Sequence, residues 1–172
     1  MLISQKMNDL MNEQIGHEFG ASLQYVAIAA YFDSENLPEL AAHFYRQADE
    51  ERLHSMKFVR YLVDAGGRVK VPAVPAPRSD FGAAAEAVQL SVDWEMTVTK
   101  QINALVDLAV KEGDHISQGF LQWFVTEQLE EVSSMETLLS IVKRAGESGL
   151  LFVEEYLVRQ GQKAGAGEAA AG

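Results

Sequence analysis

GGRVKVPAVPAPRSDF, residues 66–81, holds three of the chain's four prolines and interrupts the apolar periodicity on either side of it. Prolines at this density deny the backbone its donors and end a helix. On both flanks, apolar residues recur every three or four positions with no strand-like alternation, the spacing of amphipathic helices. Start and stop signals place helix A at 4–32 with Ser4 as N-cap and helix B at 36–65, ending at Gly66-Gly67. Helix C falls at 82–111 and stops near Gly113, and helix D at 115–145 with Gly146 beyond its end. The A–B and C–D joints span a few residues, so each pair is an antiparallel hairpin. The quoted stretch is different. About sixteen residues reach ~50 Å when extended, and a helix of about thirty residues is ~45 Å long. The connection is long enough to return the chain to the end where helix B began. The fold class is therefore all-α, a four-helix bundle (4–145) with one long B–C crossover.

Beyond the bundle, Ser148 opens a short helix E over 148–160. Its SGLLFVEEYL is too apolar to stand alone, because a short isolated helix is marginal in water. A neighbouring subunit is the simplest thing for it to pack on, and its own bundle is the alternative. Residues 1–160 form one domain. The tail GQKAGAGEAAAG, 161–172, is small and polar and reads as disordered.

Composition narrows the function. The formal charge of −11 leaves no basic surface for nucleic acid, and an acidic protein attracts cations. No apolar run is long enough to span a membrane, and the N-terminus lacks the basic start and apolar core of a secretion signal. Cysteine is absent, which excludes disulfides, thiolate metal sites and thiol catalysis and is compatible with a cytoplasmic location.

Written at seven-residue spacing, each helix shows an apolar seam broken near its midpoint. Helix A reads Met11, Glu18, Tyr25, Phe32, and helix B reads Phe44, Glu51, Phe58 with His54 one turn on. Helix C reads Val88, Glu95, Ile102, and helix D reads Leu121, Gln128, Met135 with Glu131 one turn on. In helices of equal length, midpoint meets midpoint whichever way each one runs. Four carboxylates, an imidazole and an amide should therefore converge at the centre of the core. Buried carboxylates cost several kcal/mol each unless protonated, paired or bound to metal, and no lysine or arginine occupies these seam positions. Cations are the simplest counter-charge. Glu51 and His54 lie three apart on one face and can share an ion. Oxygen ligands with one nitrogen favour iron or manganese over a sulfur-seeking metal. A set this rich in carboxylates points to two metals bridged by a glutamate.

With those residues in place, the chain resembles the bacterial non-haem ferritins over roughly residues 1–160. The resemblance rests on Glu18 and Tyr25 in EFGASLQY, Glu51-x-x-His54 in EERLH, Glu95 in DWEMTVTK, EQLEE at 127–131, and YFDSENLPELAAHFYRQADEERLH around the A–B turn. It implies a ferroxidase centre in which Glu18, Glu51 and His54 bind a first iron. Glu51, Glu95 and Glu131 bind a second, with Glu51 bridging and Gln128 beside the pair. Glu50, Glu127, Glu130 and Glu131 are similar to a third iron site on the cavity side, and Tyr25 to a redox-competent residue near the metals. The resemblance further implies oxidation of Fe(II) by O2 or H2O2 and ferric mineral stored in a hollow homo-oligomeric cage of twenty-four subunits, with helix E around its fourfold channels. Two departures matter. Gln128-x-x-Glu131 stands where a symmetric centre has a second E-x-x-H, and Arg52 stands where bacterioferritins carry a haem-ligating methionine, so no haem is expected.

Two other readings remain. A fixed di-iron or manganese oxidase would need a pocket for an organic substrate, and the bulky seam advertises none. A structural protein would use the polar layer only to fix register. Off the seam, His17, His43 and His115 read as surface or interface residues, Trp94 and Trp123 as packing, and Glu112 and Asp114 as a solvated turn or the lining of a channel.

Overall fold

The computed structural model describes residues 1–171, with side chains described through Gln162. It is built of helices α1 (Gln5–Ser34), α2 (Pro38–Asp64), α3 (Ala84–Glu112), α4 (His115–Ala145) and α5 (Leu150–Ala171), with a single 3-10 turn at Glu147–Gly149 before α5. The four long helices begin and end within a residue or two of their expected positions. Ser4 caps α1, its Oγ accepting from the Met7 N–H at 3.0 Å. Asp114 caps α4 by accepting from the Ser117 N–H at 2.9 Å, which gives this turn residue a structural role. Gly113 ends α3 in the left-handed conformation at φ 66°, where a side chain would be strained.

The chain between α2 and α3 is extended and lies along α1 as a strap. The residues of α1 that receive it recur every fourth position, which puts them on one face. The Asn8 Oδ1 accepts from the Arg68 N–H at 2.8 Å, and the Asn12 Oδ1 from the Lys70 N–H at 2.6 Å. The Asn12 amide also donates to the Arg68 carbonyl at 2.9 Å. One turn later, a Cβ on Gly16 would fall 2.3 Å from Pro72 Cγ. Further on, Gln24 brackets Arg78, donating to its carbonyl at 2.7 Å and accepting from its N–H at 2.9 Å. These side chains satisfy backbone groups that the extended strap cannot pair with itself. Gly16→Ala should push the strap off α1 and cost about 1–3 kcal/mol, the usual range for overpacking. Denaturant unfolding measures the loss, and an unchanged midpoint would mean that Pro72 yields freely.

Helix α5 packs on its own bundle: Leu150 and Val153 are buried in the core, and the Glu154 carboxylate accepts from the Glu39 and Leu40 N–H groups at 2.8 and 2.9 Å. Those bonds cap α2, whose own N-cap position, Leu37, offers no side-chain acceptor. The opposite face of α5, with Leu151 and Phe152 about three-quarters exposed, stays uncovered in the single chain. The helix also continues to Ala171, where a disordered tail was expected from 161 on. Alanine, glutamine, lysine and glutamate in this segment are helix formers, and they extend α5 despite its glycines. Gly172 lies outside the described residues.

The apolar core is two bodies. One is built from Ala21 to Phe32 of α1, Leu37 to Ala48, Ala84 to Val92, Met135 to Val142 and the start of α5. The other is built from Ile3 to Ile15, Phe58 to Ala65, Val98 to Ala109, and Leu121 with Phe124. Between them lies a layer of buried polar side chains, one helix turn thick.

Candidate metal centre

Each helix delivers part of that layer from the middle of its inner face. Glu18 comes from α1, Glu51 and His54 from α2, Glu95 from α3, and Gln128 and Glu131 from α4. All six are at most 6 % exposed. The seam reading therefore placed all six at the depth and on the faces where the structure has them.

Within the layer, one donor atom each from Glu18, Glu51 and His54 lie within 4.8 Å of one another, close enough to hold one cation. The His54 Nδ1 is 3.3 Å from Glu51 Oε2. The other ring nitrogen, Nε2, faces Glu127 Oε1 at 3.9 Å, and His54, Glu127 and Glu131 make a second group of the same compactness. His54 thus stands between two potential cation positions. Glu95 belongs to neither group in this geometry. Its carboxylate accepts from the Tyr25 hydroxyl and from the Gln128 amide at 3.2 Å. Glu50 and Glu130 are exposed and lie outside both groups. Glu50 accepts from Gln47, and Glu130 lines a separate groove with His43 and Arg46.

The electrostatics show what the layer lacks. Burial first, then the Glu51 charge, pushes the Glu18 carboxyl well above the usual range. Burial and the Glu95 charge do the same to Glu51. Glu131 is pushed up to about 8, by burial and then by Glu95. Glu95 is raised by burial and partly relieved by its bonds from Tyr25 and Gln128. Burial and Glu95 together raise the Tyr25 phenol, so it stays a donor. Repulsion among carboxylates with no lysine or arginine among them is the signature of a site built for cations. The Glu18 Oε2 makes the same point, since it is buried without any hydrogen-bond partner. A hard or borderline cation with oxygen and imidazole ligands fits this donor set.

The heptad rows missed a residue that shapes the site. Gln14, one turn before Glu18 and buried, donates its amide to Glu18 Oε1 at 2.8 Å and leaves Oε2 without a partner. Outer partners of this kind orient ligands. Gln14→Met keeps the volume and removes the donor, so Co(II) affinity at this position should fall about tenfold. A Co(II) titration followed by visible absorption reads it, and an unchanged curve would reduce Gln14 to packing.

Beside the layer, the His54 ring meets Trp123 edge-on at 5.4 Å, and Trp123 borders a groove of about 570 Å³. Leu53, Met56, Tyr61 and Phe120 also line it. The bulky seam residues gave no hint of this space, which opens between α2 and α4 at the edge of the core, where Tyr61 and Phe124 also border it.

A crossover four-helix bundle closed around a carboxylate and histidine layer is the architecture of the bundle proteins that hold paired metals. The chain belongs to the ferritin family, since the family model described as a ferritin-like domain matches residues 8–145. It is 45 % identical over 164 residues to ferritin BfrB of Mycolicibacterium smegmatis, covering 95 % of this chain and 90 % of that protein. It is 36 % identical over 155 residues to the bacterial non-heme ferritin of Staphylococcus aureus, covering 90 % and 93 %. Among solved structures, the open pore ferritin of Archaeoglobus fulgidus superposes with a TM-score of 0.88 at 36 % identity, covering 91 % of this chain and 96 % of that one.

Proposed function

We propose that this protein oxidises Fe(II) to Fe(III) at the mid-bundle layer and stores the ferric product in a hollow homo-oligomeric cage of twenty-four subunits. The observation that carries the chemistry is the group of Glu18, Glu51 and His54 with the unpartnered Glu18 Oε2. Iron is the substrate. Two Fe(II) ions give up one electron each, and O2 or H2O2 takes both. Glu18, Glu51 and His54 hold one ion. Glu95, Glu131 and the bridging Glu51 hold the other once the Glu95 carboxylate turns from its present partners. The carboxylates release protons as the Fe(II) ions arrive, which offsets the charge those ions bring into the layer. Tyr25, hydrogen-bonded to Glu95, is placed to pass an electron or proton to the layer.

Glu127, paired with His54 and Glu131 in the second group, gives the ferric product its next stop, with Glu50 and Glu130 beyond it. The apolar outer face of α5, Leu151 and Phe152, is the surface that fits a neighbouring subunit in the cage. No described helix is long and apolar enough to cross a membrane, and we assign the protein to the cytoplasm. No haem is invoked.

The groove beside Trp123 keeps a second reading in play, a fixed di-iron or manganese oxidase whose organic substrate sits there. Aerobic Fe(II) loading followed by gel filtration and iron counting separates the two. Iron retained far beyond a few atoms per subunit in a very large particle supports storage. Retention that stops near two per subunit in a small oligomer overturns storage and favours the oxidase.

A further inference from the structure

A second groove, of about 730 Å³, lies between α2, α4 and α5, apart from the metal layer. Arg46, His43, Ser133, Ser134, Tyr156 and Glu130 are among the residues that line it. Sequence reading put His43 at the surface or an interface; the structure leaves the residue partly exposed, with its Nε2 buried and without a hydrogen-bond partner. Burial, with Arg46 nearby, lowers the His43 pKa to about 4, so its ring is neutral at pH 7 and one ring nitrogen carries a proton to donate. Among the described residues, Arg46 has no carboxylate within 4.0 Å. Several arginines of the chain are likewise without a carboxylate partner, but Arg46 lines this groove together with an imidazole and hydroxyls. A planar fork of N–H groups, an imidazole and several hydroxyls on one concave surface offer what a tetrahedral oxyanion needs.

We propose that this groove binds inorganic phosphate, held by the Arg46 guanidinium with donors from His43, Ser133, Ser134 and Tyr156. The Glu130 carboxylate on the same wall opposes an anion, so the site is tuned to moderate affinity and tightens when cations occupy the neighbouring carboxylates. The choice of the free ion over a phosphate ester rests on the storage reading. Ferric ions leaving the centre need counter-anions, and Arg46 acts electrostatically on Glu50, which borders the metal layer.

The test uses the full-length, metal-free protein, with inorganic phosphate titrated by calorimetry and followed by 31P line width. Saturable binding of about one phosphate per subunit is expected, weakened at least about tenfold by Arg46→Met, the usual loss for a charged hydrogen-bonding partner. Ser134→Ala, at an exposed position, should weaken it by a smaller factor and guards against misfolding of the arginine variant. Absence of saturable binding, or equal binding by both variants and wild type, overturns the proposal. Adenosine monophosphate binding much more tightly than the free ion, with the same loss in Arg46→Met, overturns the inorganic assignment. No iron enters this assay, so its outcome is independent of whether the protein is a ferroxidase.

Discussion

Glu51→Gln should raise the melting temperature of the metal-free protein and, in the same variant, disable iron oxidation. Glutamine keeps the volume and hydrogen-bonding capacity of the side chain while removing a carboxylate from a layer that has four of them, one histidine and no lysine or arginine. Replacing a poorly compensated buried charge stabilises by about 1–4 kcal/mol, which for a chain of this size is roughly 3–10 °C. Glu51 sits at the crossing of the layer, touching His54 at 3.3 Å and destabilised by the charges of Glu95 and Glu131. Its loss removes the bridge between the two proposed irons, so the initial rate of Fe(II) oxidation should fall on the order of 100-fold, at or beyond the top of the range for outer partners of a ligand. Calorimetry on the apo protein and stopped-flow absorbance on Fe(II) addition give the two numbers. A lower melting temperature with an unchanged rate would mean that Glu51 serves the fold and not the metal.

The second large effect is on pH dependence. Glu131 titrates at about 8 in the folded protein against about 4.3 in an unfolded chain, and Glu18 and Glu51 shift in the same direction. The folded state therefore binds these protons more tightly than the unfolded state. The stability they contribute is fully present below the unfolded value and is lost as pH rises through the folded value. Metal-free protein should lose roughly 5–10 °C in melting temperature between pH 5 and pH 9, since a few kcal/mol correspond to that change at this chain length. Saturating Zn(II) should flatten the slope, because a cation supplies the missing charge and binds only the folded state. Thermal scans across that range with and without Zn(II) check it. A melting temperature that rises with pH in the metal-free protein would mean that the layer is already compensated.

Most of the metal layer was legible because a heptad spacing and a helix of about four turns to either side of the midpoint leave little freedom. Glu18, Glu51, Glu95 and Gln128 fall on the apolar row, and a carboxylate on that row has nowhere to go but inward. The strap was legible as a length but not as a path. Asn8, Asn12, Gly16 and Gln24 look like an ordinary solvated face of α1 until the chain that covers them is in place, and only then do amides and a glycine at multiples of four make sense as its bed. Gln14 and Glu154 were invisible for the same reason, since each acts on a group whose position depends on tertiary packing. For Glu50 and Glu130, sequence gives the helix phase but not the direction of a long exposed side chain. The composition of the tail signalled lack of a core, which is a different matter from lack of helix.

The divided core has a consequence for how the protein opens. Two apolar bodies, each contributed by all four long helices, are separated by a layer that is repulsive when empty, with Trp94 packing against both at its side. In the apo protein, fluctuations that loosen one half need not propagate to the other, because the weakest plane in the bundle lies between them. Ions bound in that plane would rivet the halves into a single cooperative unit. Amide exchange would then depend on occupancy along the whole length of the helices, from Met7 at one end to Val142 at the other, far from any ligand atom. The cargo would in this way report its own presence to the entire subunit, by stiffening it.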